Sequence, residues 1–571
     1  MRDRDAGSAN TDLLAHLGER YFTAQHTLDP YNATLLGLQD FDHLAGDPSS
    51  DASEAAEAEF GSIARELTTV SHDALDDSGR VDYQVLETLN DGARSDARHS
   101  LWAANASAKS YVSRQALIFQ AIPAMTIIDN DGAERYLSRL SGVGAVLDAL
   151  GERYLLEADR GRLPTAIGVT HSIQQLEGYL ALPVDTDALL SPTNSTHVRD
   201  AARAILEDSV RPAMADLART LKTQLLPRSR GDDLVGICYI PNGDVAYIDA
   251  AKRHTTSTLA PQAIHQLGLD LLAELETRWS EIGQRALGVS DFASIASRMR
   301  DDPSLRFRNR EQIVEVAEHA LARAEEKRSD YFPSYDIPDC IIEEINPIDA
   351  EHTALAYYRP PAADGSRPGA HCLLTSEPTT RYRYEYEALA FHESTPGHHL
   401  QLATAQTLPI PRYRRYLDTE VCGFVEGWGL YAEQLADEMG LYSNDVQRLG
   451  MLSFSALRAC RLVIDTGIHH MGWSREKARQ FMWDHTVTTA GNVRNEVDRY
   501  IAWPGQALAY AVGKQQILRF RSRAQAALGA KFSLSDFHGT VLGAGAVPLS
   551  VLDKNVARWE SRTLTSERNS V

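Results

Sequence analysis

A chain of 571 residues, 43% of them hydrophobic, is long enough to bury a sizeable core and is composed as a globular protein. Its formal charge of −21 excludes a surface built to hold nucleic-acid phosphates, which needs clustered Lys and Arg. Five scattered cysteines with no Cys-x-x-Cys pair exclude a disulfide framework and a thiolate zinc site, and no run of 18 uncharged apolar residues is present to span a membrane.

Residues 1–10 contain acids and no apolar signal core, and read as a mobile tail; with the thiol usage they predict a cytoplasmic protein. Apolar residues at three- and four-residue intervals then predict helices over 12–27, 52–69, 81–98, 133–159, 172–182 and 197–225, separated by Gly-, Pro- and Ser-bearing joints and without a fixed-period repeat. A composition shift at 227–233 divides the chain into an N-terminal helical lobe (1–226) and a catalytic lobe (227–571) that form one unit. Beyond it, 234–240 read as β, His254 as a loop histidine, and 261–285 and 311–331 as helices. Short strands are predicted at 354–358 and 371–375 around a Pro- and Gly-rich connection.

The chemistry concentrates in Phe391-His392-Glu393-Ser394-Thr395-Pro396-Gly397-His398-His399-Leu400-Gln401, where three imidazoles and a carboxylate fall within eight residues at the end of an apolar helix. In His-Glu-x-x-His two histidines one turn apart reach one zinc ion while the Glu serves as general base. Here His392 and His398 are six apart, roughly 240° around a regular helix. A bulge at Pro396-Gly397 brings His398 back to the ion, whereas His399 would lie roughly 10 Å along the axis. Downstream, Cys422-Gly423-Phe424-Val425-Glu426-Gly427-Trp428-Gly429-Leu430-Tyr431-Ala432-Glu433 sets two acids seven residues apart in an apolar run, where a carboxylate is costly unless paired or ligated. Helices are predicted over 446–472, 474–489 and 504–528, with Asp465 and His469-His470 forming either a local ion pair or a second metal site.

The His-Glu-x-x-Pro-Gly-His-His-x-Gln motif, the Phe-Val-Glu-Gly-Trp-Gly-Leu-Tyr-Ala-Glu segment and Arg499-Tyr500-Ile501-Ala502-Trp503-Pro504-Gly505-Gln506-Ala507-Leu508-Ala509-Tyr510 resemble the bacterial DUF885 family over most of the chain. The zinc segments are distantly similar to the thimet-oligopeptidase-like helical zinc peptidases. That resemblance implies a mainly α, two-lobed, zincin-like architecture with a small β element by the cleft. It implies Zn²⁺ held by His392, His398 and Glu426, with Glu433 behind them, and a Tyr510 hydroxyl for the oxyanion, Tyr510 as core packing being the alternative. This chain has two more residues between its zinc histidines than those peptidases do.

Glu393 is the expected general base. Arg499 suits bidentate binding of a substrate carboxylate, an ion pair with Glu496 or Asp498 being the alternative. The strand at 372–375 is expected as an edge that holds substrate backbone, or else as an ordinary hairpin. The expected function is zinc-dependent hydrolysis of short peptides; a metal-dependent amidohydrolase acting on a small non-peptide amide and an inactive helical binding protein are the alternatives.

Overall fold

Helices begin where the sequence supplies a capping side chain. Ser49 accepts from the Ala52 amide, Asp76 from Gly79, Asp129 from Gly132 and Thr165 from Gly168, and helices Ser50–Leu67, Asp77–His99, Asn130–Asp159 and Ala166–Ala181 follow. The computed structural model describes residues 2–109, 112–345, 355–363, 365 and 367–565, with side chains from residue 9 onward. The chain is mainly helical with one small sheet.

The first helix spans Arg2–Leu28, so the segment expected as a tail is helical from residue 2. The run expected at 197–225 is continuous but opens into wider turns at Leu206–Val210 and Leu221–Leu225. Pro212 and Pro227 lie just beyond these turns, each lacking the N–H that a tight turn would use.

Residues 234–240 form no strand. They make short helical turns at Asp232–Leu234 and Ile237–Tyr239, because side chains take their backbone groups: Arg230 donates to the Gly236 carbonyl (2.6 Å), and the Ile237 amide donates to His469 Nδ1 (3.2 Å). A Cβ at Gly236 would lie 2.0 Å from the Ile468 carbonyl oxygen, so the segment is pressed directly onto a helix.

The sheet consists of β1 (Ile341–Glu344), β2 (Ala356–Arg359) and β3 (Ala370–Leu373) in the order β1-β3-β2. β1 runs parallel to β3 with Ile342 opposite His371, and β2 runs antiparallel with Tyr358 opposite His371. The strand expected as a free edge is therefore the middle strand, its hydrogen bonds taken on both sides, and it cannot hold a substrate backbone. β1 was not anticipated, and residue 354 of the predicted strand lies outside the described residues.

Two large apolar cores result. Leu17, Phe60, Ile63 and Leu86 from the first hundred residues belong to the same continuous core as Tyr384, Phe391 and Trp428, so the N-terminal helices and the His-Glu segment share one apolar interior. A second core around Tyr136, Leu147, Val169 and Leu217 is drawn from residues 106–225 together with Tyr31.

Candidate metal centre

The His-Glu motif sits on two helices. Tyr386–Glu393 ends at the His-Glu pair, Ser394–Gly397 make a turn with a cis Thr395–Pro396 bond, and His398–Thr407 begins at the second histidine. The expected bulge is thus a full break. A Cβ at Gly397 would lie 1.9 Å from the His392 carbonyl oxygen, so only glycine lets the chain fold back there. Trp428 Nε1–H holds the turn by donating to the Pro396 carbonyl (2.9 Å), and the Thr395 hydroxyl donates to Glu325 (2.7 Å).

The break faces both imidazoles onto helix Cys422–Glu438. Glu426 Oε2 lies 3.4 Å from His392 Nε2 and 3.4 Å from His398 Nε2. It has no hydrogen-bond donor among the described residues, although it is buried. Three ligand atoms on a tetrahedral ion with bonds of about 2.0–2.1 Å stand about 3.3–3.4 Å apart, so the donor set fits zinc in both element and spacing. Glu393 brings a carboxylate oxygen within 4.8 Å of both imidazoles, facing the same space. Gly429 makes the approach possible: a Cβ there would lie 2.7 Å from His392 Cε1 and 3.0 Å from His398 Cε1.

Behind the imidazoles, Glu433 Oε1 lies 2.8 Å from His392 Nδ1 and Gln401 Oε1 lies 3.4 Å from His398 Nδ1, which turns both Nε2 lone pairs toward Glu426. Burial opposes charge on His392, but Glu393, Glu426 and Glu433 outweigh it and push the imidazole up to about 9. Burial also opposes charge on Glu426, yet the two imidazoles hold it well below the usual carboxylate range. Glu393 goes the other way: burial, aided by Glu426, raises it. Asp418, missed in the sequence, feels the same field, and burial followed by Glu426 pushes it up to about 7.

Tyr510 reaches the site because helix Ala509–Leu528 packs almost backbone-to-backbone on Cys422–Glu438. A Cβ on Gly427 would lie 2.6 Å from Gly513 Cα, and one on Gly513 would lie 1.8 Å from the Gly423 carbonyl oxygen. The Tyr510 ring lies 23° from parallel to the His392 imidazole at 6.5 Å, and the Arg461 guanidinium covers the ring at 4.2 Å. Arg499 donates to the Tyr510 hydroxyl (3.2 Å) and to Gln506 (2.6 Å).

Other anticipated candidates lie elsewhere. His399 turns to the sheet, its Nδ1 3.0 Å from the Tyr358 hydroxyl. His254 is no loop residue: it is buried in the last turn of helix Gly243–Thr255, edge-on to Trp503. Asp465 and His469 form neither an ion pair nor a metal site, because Asp465 accepts from Tyr247 (2.7 Å) and the Gly505 amide (3.1 Å), and His469 sits between the Ile237 amide and the Tyr500 carbonyl.

The chain matches the family described as "Bacterial protein of unknown function (DUF885)" over residues 30–556. Among solved structures it is similar to a "putative lipoprotein" from Colwellia psychrerythraea, with a TM-score of 0.88 and 27% identity over 97% of this chain and 99% of that one. A "putative lipoprotein of unknown function" from Shewanella oneidensis aligns with a TM-score of 0.73 and 17% identity over 95% and 99% of the two chains, a likeness of fold alone. No curated protein matches.

Proposed function

The chain belongs to the DUF885 family of bacterial proteins of unknown function, and from that premise we propose that it is a zincin-like, zinc-dependent hydrolase of short peptides. The observation that carries this reading is the buried Glu426 oxygen 3.4 Å from two imidazole nitrogens, with a further carboxylate, Glu393, beside them. His392, His398 and Glu426 would hold the ion. Zinc bound there lowers the pKa of water to about 7 and polarises a carbonyl.

The chain's own residues supply the rest. Glu393, raised by burial, takes a proton from the attacking water and returns it to the leaving amine. The Tyr510 hydroxyl donates to the oxygen that gains charge as the carbonyl is attacked, while Arg499 holds that hydroxyl in place. Glu433 and Gln401 keep both imidazoles in the tautomer that presents Nε2. His392, Glu393, His398 and Tyr510 are each less than a tenth exposed, so a folded protein cannot present a bond to them, which supports a small substrate.

Metal analysis of protein purified without added zinc tests the reading, with about one zinc per chain expected. Glu393→Gln should keep that metal and lose hydrolysis of a peptide library by on the order of 100-fold or more. A chain with no stoichiometric metal, or a fully active Glu393→Gln variant, overturns the assignment.

A further inference from the structure

Arg499 lies at the end of helix Ala490–Ala502, next to Asp498 and one turn after Glu496. Neither carboxylate is given to it alone. Glu496 Oε2 accepts from Arg461 (2.7 and 3.2 Å) and from the Tyr500 hydroxyl (2.5 Å) while its Oε1 lies 3.8 Å from Arg499 Nη1, so one carboxylate is divided between two guanidinium groups. Asp498 accepts a bidentate pair from Arg475 (2.7 and 2.8 Å). The hydrogen-bond partners Arg499 keeps, Gln506 and Tyr510, are neutral.

A second cation stands in the same field. Lys109, on the segment between helices Asp77–His99 and Arg114–Ala121, donates to the neutral Asn495 and is carried to the helix by Asn105, whose side chain donates to the Ala502 carbonyl (2.8 Å). Among the described residues Lys109 has no carboxylate partner. Half-buried guanidinium and ammonium groups that outnumber the carboxylates beside them, as Arg461, Arg475, Arg499 and Lys109 outnumber Glu496 and Asp498, are unfavourable until a further anion joins them. The Arg499 side chain is 26% exposed, open enough to admit one.

We propose that Arg499, with Lys109 beside it, is the subsite for the C-terminal carboxylate of the substrate, so that the reaction releases a short C-terminal fragment. This deepens the hydrolase reading and rests on it for turnover but not for binding. The Tyr510 hydroxyl touches Arg499, and its ring lies 6.5 Å from the His392 imidazole, so the carboxylate is held about one or two residues from the scissile carbonyl at about 3.4 Å per extended residue. In the step, a water oxygen bonds to that carbonyl carbon and the C–N bond breaks. One water proton passes through Glu393 to the amine of the departing fragment and the second follows as the new acid ionises, leaving a carboxylate on one product and an ammonium on the other.

Two random tetrapeptide libraries, one with free C-termini and one amidated, test this by two routes. In turnover followed by mass spectrometry, free acids should be consumed roughly 10- to 150-fold faster than amides, the effect of one charge-assisted contact, and the products should be one or two residues from the C-terminus. Arg499→Ala should erase the preference and Arg499→Lys should restore part of it. Equal consumption, or cuts at no fixed distance from the C-terminus, overturns the proposal. In the binding arm, immobilised Glu393→Gln protein should retain acids over amides whether or not the native chain hydrolyses anything. Equal retention, zero included, overturns the subsite, whereas selective retention without turnover by the native chain overturns the hydrolase reading alone. Amidation requires no substitution in the protein, so the comparison stands even if an Arg499 variant fails to fold.

Discussion

Gly429 is the residue on which the metal centre turns most sharply, because both histidine rings occupy the space its side chain would fill. Gly429→Ala should therefore displace His392 and His398 and cost the chain its metal, with an overpacking penalty of about 1–3 kcal/mol in stability; metal content and thermal melting measured together check this. Glu433→Gln acts more softly, since an amide weakens the grip on His392 Nδ1, and zinc affinity should fall 10- to 100-fold by competition with a chelating dye. The histidines and glutamates were legible in the sequence because their spacing is itself the motif. Gly429, Lys109 and Arg461 were not, since their roles depend on what the fold brings against them from 31 to several hundred residues away. Gln401 lay in between: it stands three residues after His398 in the quoted motif, but its bond to that ring appears only once the second helix starts there.

At the scale of elements, periodicity located most helices and missed how they meet. The short apolar run at 234–240 suggested a strand, but a strand needs a partner for its backbone, and Arg230 and His469 had already taken those groups. The 371–375 segment was correctly read as a strand, while its place in the sheet depended on β1, whose Ile-Ile-Glu-Glu carries no clean alternation. The pairing of helices Cys422–Glu438 and Ala509–Leu528 was equally hidden, being written in glycines that look unfavourable for a helix. Gly513→Ala would drive a methyl into the Gly423 carbonyl, where only backbone can yield. The two helices should separate, lowering the melting temperature and moving Tyr510 off His392, so that hydrolysis falls by more than the loss of folded protein explains.

For the whole molecule, buried imidazoles set the response to acid. Burial pushes His371 and His538 down to about 3, and His26 and His469 down to about 4. Each binds its proton more weakly folded than unfolded, where the pKa is about 6.5. The stability they allow above pH 6.5 is therefore lost as the pH falls toward the folded values. Glu385, Asp418 and Asp465, raised to about 7 by burial, act with the opposite sign between about pH 4 and 7 and offset part of this. Each of these imidazoles should make the melting temperature fall more steeply between pH 6.5 and 4.5 than it would in its absence. His371, with neither ring nitrogen partnered among the described residues, is the cleanest probe: His371→Leu should flatten the slope by up to about 1.4 kcal/mol per pH unit. No helix among the described residues is long and apolar enough to cross a membrane. The indole bond from Trp428 to the Pro396 carbonyl has a consequence for how the centre is loaded. The turn that separates the two histidines is fastened to the helix that bears Glu426, and both stand in a core that extends into the first hundred residues. The cradle is assembled by the fold itself, so stripping the ion with a chelator should lower the melting temperature yet leave one cooperative transition and an unchanged far-UV spectrum. Added zinc should then rebind in a single fast phase, because nothing has to refold to receive it.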